Sequence, residues 1–198
     1  MSDNEAVWIK QAIHGDDRAF GFLVDQYQKP VYSLCHRMLG NSRDAEDAAQ
    51  ESFIRAYTHL KRYDPQRAFA TWLLSIGSHY CIDQIRKRHL PVVPIEALPA
   101  EVLPDQRVPN PESSTQRAEK EQMIQALLLQ LQPLDRAAII FRYWHDYSEV
   151  EIAQTLDLTV SAVKSRLYRA RQTLAKAWLA EEQATFSTER RPNESPAL

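Results

Sequence analysis

An all-α protein is predicted by three features of the sequence. Apolar residues recur at helical spacing along most of the chain, while the strict alternation of a half-buried strand is scarce. Glycine is rare, with only 4 in 198 residues. Capping residues stand where the apolar stripes begin and end. A stretch from Pro91 to Pro111 holds six of the 11 prolines, with Glu96, Glu101 and Asp105 among them and no periodicity. It predicts an extended, semi-stiff linker between two small helical domains. The expected division is 1–90, a linker over 91–116, a second domain over 117–180, and an unstructured polar tail over 181–198.

The first domain opens with a helix from Asn4 to Ile13, broken at Gly15. Asp16 or Asp17 caps the next, which carries Phe20, Leu23, Val24 and Tyr27; Pro30 permits a restart through Val31, Leu34, Cys35, Met38 and Leu39. Gly40-Asn41 ends that run. In SRDAEDAAQESFIRAYTHL the acids Asp44, Glu46 and Asp47 occupy a helix start, where the helix dipole favours anions. Ala45, Ala48, Ala49, Phe53, Ile54 and Tyr57 are expected to face inward, leaving Asp47, Gln50 and Glu51 exposed. Tyr63-Asp64-Pro65 falls in a loop, and Phe69 to Arg88 forms the last helix of this domain. Its aromatics beside Arg86-Lys87-Arg88 suit unpaired bases, which stack on rings while cations hold the backbone. The Trp72 ring is expected in the core.

Beyond the linker, Met123, Ile124, Leu127, Leu128 and Leu131 mark one helix, and Pro133 starts another through Ile140, Phe141 and Trp144. Ser148 and Glu151 form a capping box, with Tyr147 and Ile152 at the spacing of a hydrophobic staple. The short helix ends at Asp157, tolerant of the left-handed conformation, and Thr159 caps a final helix. Val163, Leu167, Ala170, Leu174 and Ala177 make one apolar stripe there. Its other faces carry Lys164, Arg166, Arg169, Arg171 and Lys176, with no acid between Val160 and Leu179. A short helix, a tight turn and a helix with a basic outer face read as a helix-turn-helix made for the major groove.

Charge is distributed unevenly. Lys61 to His89 carries six Lys/Arg against two Asp, and Thr159 to Leu179 carries five against no acid, although the whole chain has a formal net charge of -2. Two basic islands on an acidic body imply two separate contacts with a polyanion. Islands joined by a mobile linker are expected not to be pre-aligned, so the isolated chain should bind duplex poorly. Cys35 and Cys81 are too few for a disulfide framework. The N-terminus lacks a basic start followed by an apolar run, no stretch is apolar enough to span a membrane, and a cytoplasmic location is expected. The chain has no GxxxxGK[ST] phosphate loop. No catalytic residue, cofactor or metal is expected: dipole stabilisation accounts for the clustered acids.

GDDRAF (Gly15 to Phe20), DAEDAAQESFIRAY (Asp44 to Tyr57), FATWLLSI followed by CIDQIRKR, and AVKSRLYRAR stand in the order and spacing of one family. Together they resemble the extracytoplasmic-function (group IV) class of bacterial RNA polymerase sigma factors. The resemblance implies a region 2-like helical bundle and a region 4-like four-helix domain, and a role in transcription initiation under stress. It implies that the helix bearing Asp47, Gln50 and Glu51 docks on the clamp coiled coil of the polymerase β′ subunit, and that the β flap is a second contact. It assigns Lys164, Ser165, Tyr168 and Arg169 to the upstream promoter element, and Tyr63, Phe69, Thr71, His79, Tyr80, Arg86, Lys87 and Arg88 to the melted start-proximal element. An anti-sigma factor is a further implied partner. Three positions depart from the family pattern: His79 for the usual Asn, Ala162 for a common Thr, and Asp157 for the turn Gly. Tyr63 and His79 are expected to line one pocket for a flipped base, the ring stacking and the imidazole hydrogen-bonding. Two other readings of the residues stand beside this one. One is an autonomous helix-turn-helix regulator; the other is a metalloenzyme built on Cys35, His36, His79 and Cys81.

Overall fold

The computed structural model describes residues 3–89 and 115–189, and the described residues are helical throughout, apart from short connections. The elements are α1 (Asp3–Ile13), α2 (Asp17–Leu39), α3 (Ser42–His59), a 3-10 turn (Leu60–Arg62), α4 (Phe69–His89), α5 (Thr115–Leu129), α6 (Pro133–Trp144), α7 (Glu149–Leu156) and α8 (Val160–Glu189). Most of the expected linker lies outside the described residues, and Thr115 and Gln116 already belong to α5. Nor does order stop at Glu181: α8 continues to Glu189, because no proline or glycine interrupts it before Pro192. Among the described residues no helix is long and apolar enough to cross a membrane.

Local chemistry fixes the boundaries. The Asp16 carboxylate accepts from the amides of Arg18 and Ala19, 2.9 and 3.2 Å away, and starts α2. Pro30 does not restart the helix; α2 runs through it unbroken. Gly40 ends α2 at φ 86°, and a Cβ added there would lie 2.8 Å from a methyl carbon of Leu129. The left-handed conformation favours glycine there, and a side chain would also have to displace the Leu129 methyls. Asn41 then caps α3 through the Asp44 amide at 2.8 Å. The inward face of α3 is Ala45, Ala48, Ala49, Ser52 and Ala56, a row of small residues that lets the neighbouring helices approach. Ser52, rather than a bulky residue, meets Gly77 of α4: a Cβ on that glycine would stand 3.2 Å from Ser52 Oγ. Ile54 and Tyr57, expected to face inward, are therefore on the outside, Ile54 at 60% exposure.

Helices α1 to α4 form one bundle and α5 to α8 another, and the two pack against each other rather than standing apart. Their buried side chains form one continuous apolar cluster, from Ile9 and Leu34 to Ile140, Leu167 and Ala170. The seam joins α2 to α5 and α6, and α4 to α6 and α7. Arg136 is its central polar group. Only 5% exposed, it donates to the carbonyl of Met38 near the end of α2, and to Leu129 and Leu131 at 2.8 and 3.1 Å. One guanidinium thus satisfies orphan carbonyls around the ends of two helices, where the dipole also favours a cation. Arg37 extends the seam, its guanidinium carbon 4.9 Å from the centre of the Trp144 ring. Gln125 donates to the Arg37 carbonyl at 3.2 Å.

Candidate nucleic-acid and protein interfaces

The helix-turn-helix is built as its sequence dictates. Ser148 and Glu151 exchange hydrogen bonds, the Ser148 amide to the carboxylate at 2.8 Å and the Glu151 amide to the hydroxyl at 3.2 Å. The Ser148 hydroxyl and amide together hold the Glu151 carboxyl below its usual range. Asp157 turns the chain at φ 56° and ψ 47°. The Ala162 amide donates to Thr159 Oγ1 at 3.2 Å to open α8. Val163, Leu167 and Ala170 are then buried, which turns Lys164, Ser165, Tyr168 and Arg169 outward. Tyr168 is 62% exposed. A helix about 10–12 Å across, with such a face open, matches a major groove about 12 Å wide.

The cations of α8 are held to different degrees. Lys164 stands 3.7 Å from Glu149, an exposed pair of little energetic weight. Arg166 is 2.8 Å and Arg169 3.5 Å from the same oxygen of Asp135, an acid in the first turn of α6 that is only 7% exposed. Arg171 donates to the Tyr143 hydroxyl at 3.1 Å. Nothing in the sequence pattern singled out Asp135, since an acid following Pro133 looks like an ordinary helix start.

The first basic island differs from expectation. Tyr63 is 6% and Phe69 1% exposed, their rings meet edge-on at 5.4 Å, and Trp72 closes the cluster. The Tyr63 hydroxyl donates to the Arg67 carbonyl, closing the loop on itself. The Tyr63 and Phe69 rings are core, not a platform open to a base, while Trp72, expected in the core, is half-buried against them. Nor does His79 share a pocket with Tyr63. It lies ten residues along α4 from Phe69, about 15 Å at the helical rise, and its Nδ1 pairs with the Ser75 carbonyl at 2.8 Å. Thr71, His79 and Tyr80 are half-buried, and the Tyr80 ring carries the Arg55 guanidinium at 4.7 Å. Arg86 and Lys87 are exposed. Arg88 is tied to Asp44 at 2.6 Å. Burial pushes the Asp44 carboxyl up, but hydrogen bonds from Asn41 and Arg88 outweigh it and hold it below its usual range.

The two islands are not independent, as a mobile linker would have left them. Arg86 from α4 and Arg166 and Arg169 from α8 line one cleft of about 1070 Å³ beside the seam. Elsewhere on the first bundle, Asp47 and Gln50 are exposed on α3, and Glu51 pairs with Arg55 at 2.7 Å. Ile54 and Tyr57 continue this face with apolar surface, and Gln50 and Phe53 border a groove of about 380 Å³ with Tyr32. Both cysteines are buried and free, and no group of three or more His, Cys, Asp or Glu is arranged for a metal ion among the described residues.

Known proteins share both halves. Residues 23–90 match the family model of sigma-70 region 2, and residues 121–174 that of sigma-70 region 4. The ECF RNA polymerase sigma factor SigW of Bacillus subtilis is 39% identical over 178 residues, covering 85% of this chain and 93% of its own. The RNA polymerase sigma-H factor of Pseudomonas aeruginosa is 31% identical over 175 residues, covering 85% of this chain and 91% of its own. Among solved structures, CnrH in complex with the cytosolic domain of CnrY aligns with a TM-score of 0.66 at 26% identity, over 90% of this chain and 99% of that one. With both regions matched in order and nearly the full length of its relatives spanned, the chain belongs to the extracytoplasmic-function class of RNA polymerase sigma factors.

Proposed function

We propose that α8 reads the upstream promoter element as duplex through Lys164, Ser165, Tyr168 and Arg169, while α3 docks the chain on the β′ clamp coiled coil of core polymerase. The observation that carries the reading is the open outer face of the second helix of a capped helix-turn-helix, on which Lys164, Ser165, Tyr168 and Arg169 are all exposed and no acid of α8 itself intervenes. The α3 face has the complementary character of a protein contact: Asp47, Gln50 and Glu51 supply polar specificity, and Ile54 and Tyr57 supply apolar area to bury. At the melted element the reading rests on Thr71, His79, Tyr80, Arg86 and Lys87. Tyr63 and Phe69 support the loop from behind, and Arg88 acts through Asp44. The protein stabilises opened DNA by binding it and carries out no chemistry of its own. Unstacking costs a few kcal/mol per step, which polymerase contacts offset by holding the chain in register. The work takes place in the cytoplasm, with the β flap as a second polymerase contact and an anti-sigma factor as the restraining partner.

Run-off transcription with core polymerase on genomic fragments tests this directly. Starts that appear only with the protein present are expected. The paired substitution Gln50→Ala with Glu51→Lys should weaken the polymerase complex with helicity unchanged. Undiminished affinity would remove α3 from the interface. Tight, sequence-specific duplex binding by the isolated chain at physiological salt would point instead to an autonomous regulator.

A further inference from the structure

We propose that Asp135 is a specificity-determining positioning residue: a buried carboxylate that holds Arg169, the reading arginine of α8, in place and keeps it and Arg166 off indiscriminate phosphate contacts. The inference rests on the assignment of Arg169 to the upstream element.

Arg166 and Arg169 are three residues apart on α8, so they share a face and repel each other. Between them stands a single Asp135 oxygen, 2.8 Å from Arg166 Nη1 and 3.5 Å from Arg169 Nη2. The arrangement is asymmetric. Arg166 keeps 24% of its side chain exposed, whereas Arg169 keeps 60%. The inner arginine is thus spent on the carboxylate, and the outer one is tethered by one nitrogen with most of its surface open to the groove. The Asp135 side chain is only 9% exposed. It lies in the first turn of α6 between Leu134 and the buried Arg136, whose guanidinium points into the bundle seam. The exposed pair of Lys164 and Glu149, at 3.7 Å, has no such anchorage.

Two consequences follow from elementary electrostatics. Arginine is rich in rotamers, and immobilising it upon binding is unfavourable; a tether set beforehand lowers that cost for the one geometry it permits. One carboxylate charge against two guanidinium charges also lowers the cation count that the helix offers to phosphates. Non-specific binding scales with that count, while base reading depends on geometry. Asp135 therefore favours discrimination over raw affinity. The cleft that Arg166 and Arg169 share with Arg86 gives freed guanidinium groups room to turn toward a backbone.

The test uses full-length protein assembled with core polymerase. A duplex library randomised at the upstream element reports base preference by sequencing. Salmon sperm DNA titrated against KCl reports non-specific affinity. Asp135→Asn should steepen the log–log salt slope by about 0.9 for each arginine released and lower the ratio of selected to non-specific affinity roughly 10-fold, in the range one lost base contact gives. A merely structural ion pair would weaken both kinds of binding together and leave the slope alone, which overturns the proposal. If Asp135→Asn loses its far-UV helix signal, Asp135→Glu decides: it keeps the charge but moves the carboxylate by one methylene. A wild-type slope with altered base preference supports positioning, and an unaltered preference overturns it. Arg169→Ala, run in parallel, separates the two levels. Loss of preference there with none in Asp135→Asn defeats this inference alone, while no loss in either variant defeats the assignment of α8 as reader.

Discussion

The loop and helix from Tyr63 to Arg88 and the helix from Val160 onward both set aromatic rings among cations, yet the structure treats them in opposite ways. In α8, Tyr168 follows Leu167 of the buried stripe, so its ring is thrown onto the outer face beside Lys164 and Arg169. In the first island, Tyr63, Phe69 and Trp72 turn toward one another, 5.3 to 5.6 Å between centroids. Composition is the same in kind; periodicity decides. Along a helix the stripe that must be buried fixes where every other side chain points. Phe69 and Trp72, three apart on α4, obey the same rule on the inward side of their helix, while Tyr63 in the preceding loop is free of it and turns to cover their apolar area.

The bundle seam offers the largest lever on this comparison, since it sets both islands on one cleft. Arg136→Ala removes three charge-assisted contacts from buried carbonyls and should cost roughly 4 kcal/mol or more, hydrogen bonds to charged groups being worth about 1.5–3 kcal/mol each. Urea unfolding should show the lower midpoint, and the single transition should separate into two. Arg136→Lys should rescue little, because an ammonium lacks the planar fork that reaches two helix ends. Retention of one unshifted transition would mean that the apolar cluster alone joins the bundles.

Next in size is the contrast in reading. Arg169→Ala should lose ~1–3 kcal/mol of discrimination at the upstream element, whereas Arg86→Ala should flatten salt dependence with base preference intact. Equal responses at upstream-element variants would erase the distinction between the islands. Tyr63→Phe probes the buried ring: deleting a hydroxyl bonded to the Arg67 carbonyl should cost about 1 kcal/mol of stability, visible as a lower Tm, with promoter opening unchanged. Lost opening without lost stability would return that ring to the DNA.

The smallest expected effect is one of pH. Burial first, and the neighbouring Arg37 second, hold the imidazoles of His36 and His145 below their usual range, with Asp146 opposing this at His145. Above about pH 6.5 both are neutral whether the chain is folded or not. As pH falls through that value the unfolded chain takes up protons that the folded one resists, so stability is present at neutral pH and lost toward acid. Tm should drop a few degrees between pH 7.5 and 5.5, and His36→Gln with His145→Gln should flatten that dependence.

What was legible in the sequence follows the same rule. The capping box at Ser148 and Glu151, the left-handed Asp157, the Thr159 cap and the outward Lys164 and Arg169 are local or periodic and were readable from spacing, whereas Tyr168 was assigned through the family resemblance. Ile54 and Tyr57 misled because α3 buries alanine and serine rather than its largest residues, a choice made by the partner helix through Gly77. Tyr63 and His79 were paired through the family resemblance, but the Tyr63 ring turns toward Phe69 and Trp72 and the His79 ring toward the Ser75 carbonyl. Asp135 and the seam contact of Arg136 were invisible for a further reason: Arg166 lies 31 positions from the one and Met38 98 positions from the other, and no local pattern encodes such a meeting.

The Arg136 bond to Met38 also carries a consequence for synthesis. The α2 carbonyl emerges 98 residues before the guanidinium that satisfies it, and at about 5–20 residues per second the ribosome needs roughly 5–20 s to supply the donor. Throughout that interval the nascent first bundle must leave its seam, with Leu39 and the bare Gly40 corner, facing water or a chaperone. Completion of the chain, rather than of its first half, is the event that hides this surface.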